Sequence, residues 1–167
     1  MLISEIVALG DSALAEDYTR KLWEVAQRKG PFFYTNFLRH HPLALDHLAK
    51  MREGFDAMEH SRGGDVYICT HPAFPGRIKI GSTRKNARDR VHGLRTAGVI
   101  GPYELESFVS HFDAFGLEAR MHRYFKPMQA EREWFRATPE MGLAVLTRHQ
   151  RDDQYLRDAL CDAYPKT

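Results

Sequence analysis

The spacing of apolar residues along the chain changes near residue 63 from a helical period to a strand period. Over residues 13–28 apolar side chains recur every three or four positions, which predicts a helix with one apolar face, formed by Leu14, Tyr18, Leu22, Val25 and Ala26. The Gly30-Pro31 pair predicts the end of that helix. Further helices are predicted over residues 32–41 and from Pro42 to about Glu59. The paired glycines of SRGGD then predict a domain boundary, so residues 1–62 form a helical N-terminal region.

From Asp65 onwards apolar and polar residues alternate, as they do in strands with one buried face. The predicted order is strand Val66–Thr70, the loop HPAFPG, strand Arg77–Gly81, helix Lys85–Thr96, strand Tyr103–His111, helix Asp113–Phe125, a short strand at Glu133–Arg136, a helix opening at Thr138, and a last helix from Asp152 to Tyr164. This order predicts an α+β fold, with a small mixed or antiparallel sheet packed by helices. The predicted domains are residues 1–62, residues 63–150, and a C-terminal helix within residues 151–167.

Composition places the chain among ordinary folded proteins, with 43% hydrophobic and 28% charged residues. No apolar run approaches membrane-spanning length, and the N-terminus is a poor signal peptide because it lacks a basic start and carries an early Glu5. Only Cys69 and Cys161 are present, a pair that gives neither a metal spacing nor a disulfide framework. We therefore expect a protein of the reducing cytoplasm.

The net charge of +2 conceals an uneven distribution of basic residues. Residues 63–136 hold 12 Lys and Arg against 8 Asp and Glu, whereas the segments before and after each have a net charge of −1. The basic excess is largest between positions 76 and 95, where seven cations accompany Asp89 alone. Such a segment attracts polyanions, although composition by itself favours a solvated basic face.

Alternation in the first two strands sends Tyr67 to the sheet face opposite Val66 and Ile68, and Lys79 to the face opposite its own isoleucine neighbours. If the hairpin register matches, Tyr67 and Lys79 share one face. On the pair alone, a half-buried hairpin with no chemical role is the better interpretation.

Two predicted helices add an arginine and a carboxylate to these residues. In the helix after the hairpin, Ala87, Val91 and Leu94 form an apolar stripe, and Arg90 lies beside it. In the helix DAFGLEARMHRYF, Glu118 borders a stripe of Leu117, Met121 and Tyr124. A carboxylate in this position is typical either of a metal ligand or of a structural ion pair.

Taken in order, the segments GDVYI, GRIKIGST, LEARMHRYF and EREWF resemble the GIY-YIG nuclease superfamily, in particular its phage-type branch with a KIG second motif. The resemblance covers residues 64–136 and implies a three-stranded sheet flanked by helices. It implies that Tyr67 is the first-motif tyrosine, that Lys79 occupies the position of the second tyrosine, and that Glu118 is the metal ligand. Arg90 matches the helix arginine, with Arg88 as the alternative.

The resemblance further implies a divalent-metal-dependent endonuclease that uses Mg²⁺ or Mn²⁺ to hydrolyse DNA phosphodiester bonds, and it leaves RNA open as a substrate. The predicted backbone contacts are Arg77, Arg84, Lys85, Arg88, His92 and Arg95. Whether Tyr67 or Lys79 accepts the proton of the attacking water stays open. An asparagine found in several superfamily members has no counterpart here, and Glu131 and Glu133 are the alternative substitutes.

A second hypothesis follows from these departures from the superfamily pattern. Under this hypothesis the domain binds nucleic acid or a protein partner and has little or no catalytic activity. Residues 1–62 are the candidate surface for a protein partner or for self-association. Phage, mobile-element and restriction roles all remain open.

The nine histidines fit no zinc-ligand spacing, which disfavours a zinc site.

Overall fold

The computed structural model describes residues 4, 7–8, 12–30, 41–94 and 101–161. The elements are α1 (Ser12–Lys29), α2 (Ala44–Arg62), β1 (Gly64–Thr70), β2 (Ile78–Thr83), α3 (Ala87–His92), β3 (Glu104–His111), α4 (Ala114–Phe125), β4 (Gln129–Glu131), β5 (Trp134–Phe135) and α5 (Pro139–Cys161). The helix predicted over residues 32–41, except for its last position, and the predicted contact Arg95 lie outside the described residues. None of the helices that the structure describes is both long and apolar enough to cross a membrane.

Two compact units make up the chain, one of residues 62–150 and one of residues 1–61 together with residues 151–167. Helix α5 contributes to both units, because it runs unbroken from Pro139 to Cys161. The expectation of two separate helices in this region is therefore wrong. No Gly or Pro follows Gly142 within α5, so no residue in the sequence ends the helix before position 151.

In the unit formed by residues 1–61 and 151–167, the buried face of α1 is Ala15, Thr19, Trp23 and Ala26. This face is rotated by about one residue from the predicted one, and Leu14 is 54% exposed. The reason is close helix packing: a Cβ on Gly54 of α2 would collide with the Thr19 side chain and the Ala15 carbonyl. Small side chains therefore occupy positions 15 and 19, where the two helices are closest, whereas Trp23 on the same face packs edge-on against Phe55.

An antiparallel five-stranded sheet in the order β3-β1-β2-β5-β4 organises residues 62–150. The predicted α+β class is confirmed, whereas the predicted number of three strands is wrong. Strands β4 and β5 have three and two residues, too few to show an alternation, and β4 was not predicted at all. They form a tight hairpin through Arg132 and Glu133, in which Arg132 has the left-handed φ of 45°.

The main hydrophobic core of this unit lies on one face of the sheet. Val66, Ile68, Ile78 and Ile80 are 0% exposed there and pack against α4 and the first turns of α5. Burial of side chains of this size contributes about 1.5–3 kcal/mol each to folding, which explains why the hairpin register is tightly determined. In α4 the buried stripe is Ala114, Leu117, Met121 and Phe125. The prediction that Tyr124 belongs to the stripe is wrong, because Phe125 takes that position and Tyr124 is 44% exposed.

The opposite face of the sheet carries Tyr67 and Cys69, which pack with α3 and with the aromatic rings of Tyr103 and Trp134. Tyr67 pairs with Gly81 and Cys69 pairs with Lys79 across the hairpin. Since cross-strand partners point to the same side, this register confirms that Tyr67 and Lys79 share a face. Burial raises the pKa of the Cys69 thiol to about 12, so it is an inert core residue.

Candidate active site

Among the predicted site residues that the structure describes, Tyr67 is the most buried, at 2% exposure. Its ring lies directly over the backbone of Gly81, so close that a Cβ on Gly81 would stand 2.5 Å from the phenol oxygen. The Arg90 guanidinium donates a hydrogen bond to that oxygen. Burial raises the pKa of the Tyr67 phenol, the Arg90 hydrogen bond opposes this rise, and the nearby charge of Glu118 adds to it.

Helix α3 holds Arg90 in this position because its first turn is fixed to the sheet. The Asp65 carboxylate on β1 accepts hydrogen bonds from the Ala87 backbone N–H (2.9 Å) and from the Ser110 hydroxyl on β3 (2.7 Å). Asn86 caps the same turn by accepting a hydrogen bond from the next-but-one N–H at 2.8 Å. A buried aspartate with two strong donors is a rigid anchor, so α3 has a defined orientation over the sheet.

The two candidate arginines of α3 point to different places. Arg90 contacts the Tyr67 phenol, whereas the Arg88 guanidinium lies 5.8 Å from the ring centre of Phe108 on β3. A separation of two residues turns the side chain by about 200° around the helix, which explains the difference. The geometry therefore brings Arg90, and not Arg88, to Tyr67.

Glu118 reaches the same region from α4, on the other side of the sheet. One carboxylate oxygen accepts a hydrogen bond from the Ser82 hydroxyl on β2, and the other lies 3.8 Å from His122 Nε2. His122 Nε2 is also 3.0 Å from the Ile80 carbonyl oxygen. Because a carbonyl only accepts, this hydrogen bond requires the proton to be on Nε2, and the Glu118 oxygen at 3.8 Å lies beyond hydrogen-bond distance from it.

Lys79 forms an ion pair with Glu133, the second residue of the β4–β5 turn. The hydrogen bond from Lys79 lowers the pKa of the Glu133 carboxyl, and the charges of His122 and Arg90 act in the same direction. Glu133 is therefore ionised at neutral pH, and this pair weakens only as the pH falls through that lowered pKa. Glu133 therefore lies close enough to Lys79, His122 and Arg90 for all three to affect its pKa.

These side chains meet at the edge of β2, where its pairing with β5 ends. Strand β5 pairs only with Ile78 and Lys79, and the next backbone groups of β2 bond instead to the β4–β5 turn and to His122. Tyr67 and Arg90 approach this edge from one face of the sheet and Glu118 from the other. The structure thus brings together the four predicted catalytic residues, Lys79 through its partner Glu133.

The other predicted contacts that the structure describes flank β2 or lie on α3. Arg84 and Lys85 are exposed in the loop after β2, and Arg88 and His92 are exposed on α3. Arg77 is half-buried at the start of β2, where it lines a separate cavity with His71 and Thr138. Of the two candidate substitutes for asparagine, Glu133 lies in the group, and Glu131 is exposed on β4.

The sequence did not assign Ser82 to the site, gave Glu133 only as one of two alternative substitutes for the asparagine, and left a packing role for His122 as open as a role beside Glu118. His122 carried a usable signal, because it lies one turn after Glu118 on the same helix. Ser82 carried a weaker one: alternation places it on the same face as Ile80, the face that α4 covers. The position of Glu133 depends on a hairpin too short to recognise in the sequence.

Glu118 is the group best suited to hold a divalent cation. Among the described residues, no cluster of three or more His, Cys, Asp or Glu side chains could hold a metal ion by itself. The orientation of this carboxylate is fixed by Ser82. A single carboxylate suits the coordination preference of Mg²⁺, which keeps several waters and takes substrate phosphate oxygens as further ligands. The residues present therefore fit a metal shared between protein and substrate.

A small sheet whose edge gathers a phenol, a guanidinium, an ammonium and a carboxylate, beside an exposed basic helix, has the features of a nuclease-like DNA-binding domain. A family model described as "T5orf172 domain" matches residues 64–150, more than half of the chain. The chain belongs to this T5orf172 domain family. The family is nuclease-like and DNA-binding, and its description is separate from that of GIY-YIG. No curated protein and no solved structure matches the chain.

Proposed function

We propose that this protein is a divalent-metal-dependent endonuclease of the GIY-YIG type that hydrolyses phosphodiester bonds of DNA. The observation that supports this proposal is the convergence of Tyr67, Arg90 and Glu118 at the β2 edge, with the Lys79–Glu133 pair beside them. Phosphodiester hydrolysis needs an activated water, stabilisation of negative charge and help for the leaving oxygen. This set of side chains has a candidate for each task.

Arg90 is the phosphate-binding group in this proposal. It is exposed, so its remaining N–H donors are open to a ligand while one is engaged with Tyr67. A guanidinium can donate two parallel hydrogen bonds to one phosphate and holds its orientation better than an ammonium does. Arg90 would bind the scissile phosphate next to the phenol oxygen.

Tyr67 is the preferred proton acceptor for the attacking water. The alternative, Lys79, is bonded to the ionised Glu133, and an ammonium in an ion pair has no free electron pair. Tyr67 must itself lose a proton first, and its hydrogen bond from Arg90 favours the phenolate. Lys79 would then stabilise charge on the phosphate or on the leaving oxygen.

Glu118 would hold Mg²⁺ or Mn²⁺, oriented by Ser82 and His122. When bound, the cation supplies Lewis-acid stabilisation of charge on the phosphate oxygens. The Glu118 side chain is 23% exposed, so a cation can reach its carboxylate from solvent. The basic residues on α3 and in the preceding loop would hold the DNA backbone by salt-sensitive contacts.

The direct test is the conversion of supercoiled plasmid to open-circular DNA by the purified protein. We expect nicking with Mg²⁺ or Mn²⁺, none with excess EDTA, and recovery when metal is restored. Nicking that persists unchanged in EDTA would contradict the metal dependence. Absence of nicking on plasmid, single-stranded and branched DNA alike would contradict the nuclease proposal.

Arg90→Lys should slow cleavage by about tenfold, because lysine keeps the charge but loses the planar pair of donors. Arg88→Lys is the matched comparison, since this residue lies on the same helix and points to Phe108. We expect it to change cleavage at saturating DNA much less and to act mainly through affinity at higher salt. Equal losses at saturating DNA in both variants would contradict the assignment of Arg90. The measurement is single-turnover cleavage of a labelled fragment.

The pH profile distinguishes the two candidate proton acceptors. Because burial raises the pKa of Tyr67, the phenolate is a small fraction at neutral pH and grows about tenfold for each pH unit. The logarithm of the cleavage rate should therefore rise with pH, with a slope of about one from about pH 7 to about pH 9. In Tyr67→Phe this slope should disappear. A slope that survives in Tyr67→Phe and disappears in Lys79→Met would assign the role to Lys79.

One observation favours a second candidate function, a DNA-binding module with little catalysis. Neither candidate is placed to accept a proton readily: burial raises the pKa of the Tyr67 phenol, and Lys79 forms an ion pair with Glu133. A module of this kind would bind DNA in a salt-dependent way. Wild type and Glu118→Gln would bind DNA equally well, and neither protein would cleave it. The nicking assay and a binding titration on the same preparations separate the two functions.

A further inference from the structure

A small aromatic cavity of about 180 Å³ opens beside the Lys79–Glu133 pair. Its walls include the rings of Phe74, Tyr103 and Trp134. Lys79 and Glu133 also line it, so the cavity and the candidate active site share two side chains. The volume is below the roughly 300–1,000 Å³ of clefts that enclose drug-sized ligands, and it suits one flat ring system.

The aromatic walls are held in place before any ligand binds. The rings of Tyr103 and Trp134 are stacked with their centres 6.0 Å apart at 27°, and Phe74 lies 4.7 Å from Trp134. The loop that carries Phe74 is anchored by His71, which accepts a hydrogen bond from the Ala73 N–H and packs 4.8 Å from Tyr103. A rigid aromatic wall binds flat ligands at a low cost in conformational entropy.

The polar groups around the cavity match the edge of a nucleobase. Lys79 and Arg132 are hydrogen-bond donors, and the carboxylates of Glu131 and Glu133 are acceptors. Base edges present both donors and acceptors, whereas their faces stack on aromatic rings. Lys79 and Glu133 are paired with each other, whereas Glu131 and Arg132 are exposed and can contact a polar ligand; an isolated anion would meet two carboxylates.

We infer that this cavity binds an unpaired nucleobase of the strand whose phosphate lies at the β2 edge. The inference rests on the proposed nuclease function and defines its substrate further. Since Lys79 and Glu133 line both places, a base in the cavity belongs to a nucleotide next to the scissile phosphate. A base inside a regular duplex is stacked on both sides, so the preferred substrate is single-stranded or locally unpaired DNA.

The test compares two oligonucleotides of equal length and charge in EDTA, where cleavage does not interfere. One is a fluorescein-labelled oligothymidylate and the other has abasic tetrahydrofuran units in place of its nucleosides. Wild type should bind the base-bearing strand about tenfold more tightly, because stacking is lost without bases. Equal affinities would overturn the inference, and this result requires no variant to fold.

Phe74→Ala should lower affinity for oligothymidylate about tenfold and leave affinity for the abasic strand unchanged. Phe115→Ala, which removes a 43% exposed phenylalanine from α4, is the matched control and should change neither. Oligothymidylate should also quench a fluorescence component that is absent in Trp134→Phe, whereas the abasic strand should not. Equal losses for both strands in Phe74→Ala, or quenching by both, would overturn the inference.

Plasmid nicking by the same preparations distinguishes the nuclease proposal from the base-binding cavity. Base-dependent binding without nicking under any condition supports the cavity and contradicts the nuclease. Metal-dependent nicking without any base dependence of binding supports the nuclease and contradicts the cavity. Duplex DNA with a single unpaired thymidine should be cut faster than the fully paired duplex, and equal rates would contradict the inferred substrate.

Discussion

Glu118→Gln should reduce metal-dependent nicking about 10³-fold while leaving the fold intact. Glutamine keeps the size of the side chain and can still accept the Ser82 hydrogen bond, so the packing of α4 changes little. It removes the negative charge that would hold the cation, and loss of one electrostatic group aimed at the reacting centre costs about 10²–10³ in rate. The measurement is the initial rate of plasmid nicking at a fixed Mg²⁺ concentration.

Two further measurements make this result specific to Glu118. Glu104→Gln removes an equal charge from an exposed position on β3 and should nick at the wild-type rate. DNA affinity in EDTA should be unchanged or slightly higher in Glu118→Gln, because one negative charge near the phosphate is gone. A Glu118→Gln protein that nicks as fast as wild type would contradict the assignment of the metal ligand.

Ser82 and His122 would allow the single carboxylate of Glu118 to hold the cation, because they fix its orientation. Ser82 donates a hydrogen bond to one carboxylate oxygen and His122 lies 3.8 Å from the other; both residues are held by the sheet, Ser82 as part of β2 and His122 through the Ile80 carbonyl. Outer groups that orient a metal ligand contribute to both its affinity and its geometry. Ser82, Glu118 and His122 would therefore act together as the metal site, next to Tyr67 and Arg90.

The sequence was informative where one face of an element is uniformly buried. Val66 and Ile68 alternate with Tyr67, and this alternation predicts both the hairpin and the face on which Tyr67 lies. Helical geometry distinguished Arg90 from Arg88 because α3 has a clear apolar stripe of Ala87 and Val91. In both cases a local period was sufficient, and the tertiary structure agreed with it.

Features that depend on packing between distant segments could not be predicted. The short strand predicted at Glu133–Arg136 is present as β5, but β4 and the pairing of β5 with β2 and β4 were not predicted, because neither strand shows an alternation of its own. The contact between Lys79 and Glu133 joins residues 54 positions apart through that hairpin. In the same way, the choice of Phe125 over Tyr124 for the core is set by the neighbours of α4, since both rings occupy adjacent helical positions.

Gly81→Ala should impair both stability and cleavage, because the phenol of Tyr67 occupies the space of the new methyl group. The added Cβ would stand 2.5 Å from the Tyr67 oxygen and 2.7 Å from the ring carbon that carries it, closer than nonbonded atoms approach. Tyr67 is 2% exposed, so the ring can move only by displacing its neighbours. Overpacking of this kind lowers the free energy of unfolding by about 1–3 kcal/mol. A displacement of about 1 Å would also separate the phenol from Arg90 and slow cleavage about 10²-fold.

Gly76→Ala in the same hairpin separates steric displacement from backbone strain. Gly76 has a φ of 69° and no atom within 4 Å of an added Cβ, so alanine there costs only the strain of the left-handed conformation, about 1–2 kcal/mol. We expect Gly76→Ala to be less stable than wild type but to nick plasmid at the normal rate. Gly81→Ala should remain slow even at a temperature where both variants are fully folded, as measured by circular dichroism. Normal nicking by a folded Gly81→Ala protein would show that the position of the Tyr67 phenol does not limit the reaction, and Tyr67 would then have a packing role alone.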